Sequence, residues 1–271
     1  GTTTRTITFG AVGLNLQQVI DEIRESSTRN EQIWLKLTFG ANFDGTVEMQ
    51  NTIIENNIHI ERIIIHNRID KKNPHFRCFN FFVRLIQESI GERKDVQYWN
   101  FVDEFILSPE YRVLTNQLAD ALRNNTNNNN GAIESFSFVG YNLNSVTFQA
   151  LWDVLLNSNV RRIKLETPNR RSNNQNDTVD FTSLITNTSI KELNLHGHKM
   201  SKQNYKNLFH AIAANKGLEK LSIDLRFRDS DVDGYGREDG PQHCVKKMLR
   251  TNISLLDVTY LYCNNHDVRD L

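Results

Sequence analysis

The chain has 271 residues and sets 32 lysines and arginines against 32 aspartates and glutamates, so it lacks the basic excess of a polyanion binder. Apolar residues make up 38% of it, ample for a buried core, yet no run of about twenty of them exists to span a bilayer. Three cysteines, Cys78, Cys244 and Cys263, are too few and odd in number for a disulfide framework and read as small buried hydrophobes.

In chain order, short segments with alternating apolar residues recur: Ile7 and Phe9, Leu37 and Phe39, Ile63 and Ile65, Phe105 and Leu107, then Phe136 and Phe138. Ile163 and Leu165, Leu193 and Leu195, Leu221 and Ile223, and Leu256 and Val258 continue the series. Such alternation predicts a strand with one buried face. Between the strands lie stretches with i, i+3, i+4 apolar spacing, the mark of an amphipathic helix. Examples are Leu16, Val19, Ile20 and Ile23; Phe148, Leu151, Trp152 and Leu155; and Leu208, Phe209 and Ile212. Six of the eight intervals between successive anchors, the first residue of each pair, run from 26 to 31 residues. Strand–helix units repeated in one direction predict a parallel sheet flanked by helices.

The interval of 42 residues from Ile63 to Phe105 is the widest and predicts an insertion carrying Phe76, Phe81, Tyr98, Trp99 and Phe101. These aromatics fit either a local satellite cluster or an exposed contact patch. The polar tract Asn124–Gly131 and the stretch Asn169–Asp177 read as solvated loops.

Two adjacent units carry a resemblance. Ile190-Lys-Glu-Leu193-Asn-Leu195 and Leu218-Glu-Lys-Leu221-Ser-Ile223 both read L-x-x-L-x-L, and Asn187-Thr-Ser precedes the first. The chain resembles ribonuclease-inhibitor-like leucine-rich-repeat proteins over nearly its whole length. That implies an α/β solenoid of about nine repeats, a horseshoe with its parallel β-sheet on the concave face and α-helices on the convex face. It implies one domain over residues 1–271, with insertions near 70–101 and 226–241. Where the family places Asn or Cys, three residues beyond the second strand apolar, this chain has Val12, Tyr141 and His198. The family's asparagine ladder is therefore expected to be largely absent and the horseshoe irregular.

The resemblance implies a non-enzymatic platform that binds a partner protein through its concave face. The register places Arg62 and His66, then Glu104, then Arg162, Lys164 and Glu166 on that face, followed by Glu192, Asn194, His196, Lys220 and Asp224. Ser135, Ser137 and Val139 fall there too. One alternative is an assembly subunit docked through Phe76, Phe81, Tyr98 and Trp99. Another is a GTPase-regulating module, since the family includes activators of small GTPases; Arg68, Arg161 and Arg170 are arginines such a role could draw on.

Asp229-Ser-Asp231-Val-Asp233-Gly234 matches the first half of an EF-hand calcium loop, but Gly240 stands where the bidentate Glu belongs. Asp229, Asp231 and Asp233 are thus calcium candidates, set against a plain acidic loop. His196 and His198 could offer two imidazoles on one side of a strand, without further ligands at zinc spacing. No phosphate loop, nucleophile elbow or H-E-x-x-H occurs, and neither cofactor, nucleic acid nor membrane is expected. The start, Gly1-Thr2-Thr3-Thr4-Arg5, has no signal-peptide pattern, and an intracellular setting is marginally favoured. The last unit stops at Leu271 without a complete helix, as expected of a fragment or of a chain that docks end-on.

Overall fold

The computed structural model describes residues 3–9, 16–29, 31–39, 51–52, 60–67, 83–84, 95–100, 116–118, 120, 122, 133–140, 145–166, 179–198, 200–225, 241–252 and 254–262. Its strands are β1 (Thr4–Phe9), β2 (Gln32–Phe39), β3 (Ile60–Asn67), β4 (Asp95–Asn100) and β5 (Ser135–Gly140). β6 (Arg162–Glu166), β7 (Glu192–Leu195), β8 (Lys220–Leu225) and β9 (Asp257–Tyr262) complete them. All nine form one sheet in chain order, and every neighbouring pair is parallel.

A parallel pair cannot close through a tight turn, so each connection must cross over, and helices fill several crossovers. These are α1 (Leu16–Thr28), α2 (Ser145–Leu156), α3 (Thr182–Thr186), α4 (Lys202–Ala214) and α5 (Pro241–Thr251). Right-handed crossovers between sequential neighbours send their helices to the same face of the sheet. In keeping with this, α1 packs on β1 and β2, and α2, α3 and α4 each touch their successor. The fold is α/β with a parallel sheet.

Alternation sets the core. Ile7, Leu35, Leu37, Phe136, Phe138, Ile163, Leu165, Leu193, Leu195, Leu221 and Ile223 are all buried on the helix side. They form one cluster with Val19 and Ile23 of α1, Phe148, Leu151, Trp152 and Leu155 of α2, and Tyr205, Leu208, Phe209 and Ile212 of α4. These are the helical stripes read from the sequence. At the centre Trp152 stacks on Phe148 at 5.9 Å and meets Phe181 edge-on at 5.4 Å, geometries that aromatic pairs favour.

The register corrects three anchors. Ile7 pairs with Leu35, not Leu37, and Leu221 pairs with Val258, not Leu256. Both errors are steps of two residues, which keep the same side chains on the same face and so leave the apolar pattern intact. In β2, three alternating residues, Ile33, Leu35 and Leu37, fit the pattern equally, and a bulge lies between Ile33 and Trp34. The third correction is larger. The strand after β3 is Asp95–Asn100, with Val96 in register with Ile63 and Phe136, and Phe105 lies outside the described residues. Tyr98 and Trp99 therefore belong to the sheet and not to an insertion. Val96 and Tyr98 alternate with polar residues and have high β-propensity, which suits them to that place.

Neighbouring units are joined by buried asparagines. At the C-cap of α4, Asn215 donates through Nδ2 to the carbonyls of Leu184 and Asn187, both at 2.6 Å. Its Oδ1 accepts from the N–H groups of Gly217 and Leu218, at 2.8 and 2.7 Å. One amide thus uses both donors and both lone pairs on backbone that would otherwise be buried without partners. Asn187 repeats the motif, donating to Leu156 O and accepting from Ser189 and Ile190 N–H. Asn252 does the same, donating to the carbonyls of Ile212 and Asn215 and accepting from Ser254 and Leu255 N–H. These asparagines form bridges of their own, placed before the strands, a different position from the one where the family's ladder is expected to be absent.

The bridge also explains Gly217. A Cβ there would lie 2.9 Å from the Cα and the carbonyl oxygen of Thr188, backbone atoms that cannot swing aside.

Replacing Asn215 by Ala removes the bonds to four backbone groups, of which Leu184 O keeps the Asn187 N–H, and is expected to lower unfolding free energy by about 2–4 kcal/mol. Asn157→Ala removes a solvent-exposed side chain that donates only to Asp153 O, and should cost under about 1 kcal/mol. Urea denaturation of the two variants checks the contrast.

Candidate functional site

The side of the sheet away from the helices is organised in rows set by strand register. One row reads Thr6, Trp34, Arg62, Asp95, Ser135, Arg162, Glu192, Lys220, Asp257. The next reads Thr8, Lys36, Ile64, Gln97, Ser137, Lys164, Asn194, Ser222, Thr259. Parallel strands lie about 4.8 Å apart, close enough for residues in a row to interact directly.

From β6 to β9 the face is open. Arg162, Lys220, Asp257 and Thr259 are exposed, and Lys164, Glu166, Glu192, Asn194 and Ser222 are half-buried. Together with Ser135, all of these but Glu166 line a shallow trough of about 280 Å³. Its charges are matched in pairs. Lys220 meets Glu192 across strands at 3.1 Å, Lys164 meets Glu166 along β6 at 3.1 Å, and Arg162 meets Glu134 at 3.3 Å. Such exposed pairs contribute only about 0–1 kcal/mol each, so an incoming partner can exchange them for its own charges at little cost. The trough offers no uncompensated cation for a polyanion.

His196 sits at the end of β7 on the rim of this surface. Its ring Nε2 meets Ser222 Oγ, and its backbone N–H donates to Asn194 Oδ1 at 3.1 Å. Gly197 follows with φ of 80°, a left-handed turn that suits a residue without Cβ. The turn sends the next imidazole the other way. His198 is 6% exposed, inside the core, where its Nε2–H donates to Leu165 O at 3.0 Å and its ring meets Phe148 edge-on at 4.9 Å. The two histidines do not form a shared ligand pair. Among the described residues no group of three His, Cys, Asp or Glu side chains could hold a metal ion.

Burial holds His198 well below the usual histidine range, at about 4, the bond to Leu165 only partly opposing the shift. Through that bond His198 ties its own unit to the preceding strand, β6.

The remaining site expectations divide as follows. Arg162, Lys164, Glu166, Glu192, Asn194 and Lys220 come together on the open face. Arg62 lies in the first row between Trp34 and Asp95, and His66 pairs in register with Thr38 and Trp99. Tyr98 is in register with Ile65 and Phe138, and Trp99 with His66 and Val139. Asp224 is the partner of Leu261 in β8–β9. Phe76, Phe81, Glu104, Asp229, Asp231 and Asp233 lie outside the described residues. Ser137 and Val139, expected on the open surface, are each 3% exposed, so the open face does not extend unbroken across β5. Asp257 and Thr259 join the trough unforeseen, because the last strand was set two residues early. The alternation in Asp257-Val-Thr-Tyr-Leu-Tyr262 was the available signal. Among the described residues no helix is long and apolar enough to cross a membrane.

His198 generates a pH dependence. Its folded value, about 4, lies below the unfolded 6.5, so the unfolded chain takes up the proton first as pH falls. Stability from this group is complete above pH 6.5, is lost between there and about pH 4, and does not change further below that. The slope is expected to approach 1.4 kcal/mol per pH unit. His198→Gln should abolish this increment, as read by denaturation at pH 7, 6, 5 and 4.5.

No family model matches the chain, and no curated protein matches it.

Proposed function

We propose that the chain is a leucine-rich-repeat solenoid serving as a non-enzymatic platform that binds a partner protein through the open face of its sheet. The observation that carries this reading is the conjunction of an ordered backbone and an open, charge-paired face. Nine parallel strands run in chain order, α2 to α5 form a continuous layer, and β6 to β9 leave a trough of paired, exchangeable charges uncovered. The asparagines support the repeat reading, because the same bond set recurs at Asn215 and Asn252 and all but one donation of it at Asn187.

Mixed charge of this kind favours specificity and steering over raw affinity. A partner protein with complementary alternating charges suits it better than nucleic acid, since each cation named in the trough already faces a carboxylate within 3.3 Å.

Capture from a native extract tests the proposal through charge reversal. Arg162→Glu with Lys164→Glu should reduce recovery of the partner at least about tenfold. The exposed pair Lys246 and Lys247 on α5, reversed in the same way, should leave recovery unchanged. A partner retained at full level by the folded Arg162/Lys164 variant would remove the open face as the site.

A further inference from the structure

We infer that the open face takes one α-helix of its partner, laid across the strands, with charges at i, i+3, i+7 and i+10 in the order acid, base, acid, base from β6 to β9. The inference rests on the open-face proposal and names the element that docks there. Register holds Arg162, Glu192, Lys220 and Asp257 in one row, each the cross-strand partner of the next. Their signs alternate without a break, plus, minus, plus, minus. One strand earlier the row is neutral at Ser135, and Ser137 and Val139 of that strand are buried. The charge pattern of the open face therefore begins at β6.

Apart from Lys164, this row supplies all the charge that lines the trough. In the next row Ser222 Oγ meets His196 Nε2, and Asn194 Oδ1 accepts the His196 N–H, so both side chains are uncharged and already bonded. Lys164 itself is held by Glu166 of its own strand at 3.1 Å. Recognition by charge thus falls to a single line of four alternating groups.

Spacing then selects the docking element. Strands about 4.8 Å apart spread the four charges over about 14 Å. An α-helix rises about 1.5 Å per residue, so its positions i and i+10 lie about 15 Å apart, and i, i+3, i+7 and i+10 share one stripe. An extended segment sets same-face residues about 6.7 Å apart and spans about 20 Å over four of them, more than a whole strand too far. A tail of one sign meets as many like charges as opposite ones and gains nothing from the row.

The helical spacing is symmetric, so a helix of opposite sign order docks reversed, and the discriminating control is a block order. Three labelled peptides of one composition are the probes, read by fluorescence anisotropy at low ionic strength. The first is an alternating helix, locked by a lactam bridge on its far face. The second is the same locked helix in the order acid, acid, base, base. The third is unlocked, with the alternating charges at every second residue. The native chain is compared with Glu192→Lys combined with Lys220→Glu, which keeps the exposed ion pair between these two positions and the net charge. That exchange turns the row into two positive positions followed by two negative ones. The alternating helix is expected to bind the native chain with Kd of about 1 mM or tighter, and the block helix at least about fivefold more weakly. The exchanged variant should reverse that preference. No saturable binding of the alternating helix, equal affinity for the two helices, a preference that the exchange leaves unreversed, or an extended peptide that binds as tightly as the alternating helix would overturn the inference. Capture of the native partner separates this reading from the one beneath it. A partner lost by the Arg162→Glu with Lys164→Glu chain but kept in full by the exchanged chain overturns the helix and leaves the open face as the site; a partner kept in full by both removes the open face as well.

Discussion

Much of this molecule rests on one constraint: the loops that turn from α3, α4 and α5 back into the sheet bury backbone polar groups where water cannot serve them. In the stretch from β6 to β9 a single residue type resolves it. Asn215 and Asn252 are 2% and 7% exposed, and each joins the carbonyls of one unit to the N–H groups of the next. A hydrophobic side chain at that place would fill the volume but leave the backbone unsatisfied, a larger loss than the modest net value of a hydrogen bond. Because the amides bridge successive units, they fix spacing as well as stability. The carbonyls of Glu134, Arg161, Lys191 and Glu219 reinforce the spacing, each accepting two N–H groups from the unit that follows.

With the backbone held from below, the opposite face is relieved of any structural duty. Its ion pairs are exposed, weak and interchangeable, while the apolar rows on the helix side carry the packing. That division lets the residues at positions such as 162, 164, 192 and 220 vary in charge without unsettling the fold. It is the physical condition under which a surface can be shaped for recognition. His196 and His198 show the division within three residues. One imidazole lies on the rim of the surface and the other is a neutral donor inside the core, separated by a glycine in a left-handed turn.

How much of this was readable from residues alone depended on the uniqueness of each signal. Phe136, Ile163, Leu193 and Leu221 were found because their neighbours outside the alternation are polar, leaving one register. At Leu35 and Val258 the flanking apolar residues permit a two-residue slide, which a period-two pattern cannot detect. The strand Asp95–Asn100 was lost to the competing Glu-Phe-Ile-Leu around Phe105, whose alternation is just as good; only pairing with Ile63 and Phe136 decides between them. The asparagine bridge lies before the strands, whereas the resemblance points to a position after them. Asn57, Asn130, Asn157, Asn187, Asn215 and Asn252 all stand six residues before an anchor. Asn157 shows why position alone does not suffice: its side chain is exposed, and Ser158 takes over, donating to Leu155 O and accepting from Val160 N–H. The direction of His198 depends on a turn three residues long, which no apolar periodicity encodes.

The sequential order of the strands carries a consequence for how the chain assembles. Each strand pairs only with its immediate predecessor and successor, so no contact in the sheet waits for a distant part of the chain to arrive. Loop-closure entropy grows only with the logarithm of length, and even the widest gap, from β4 to β5, closes a loop much shorter than the molecule. Ordering can therefore begin wherever local signals agree best, in β7, α4 and β8, and spread outward one unit at a time. A lesion near β1 then loosens its own surroundings first and reaches β9 only through every unit between them. Amide exchange rates would record that distance as a gradient along the chain and not as a single cooperative melt.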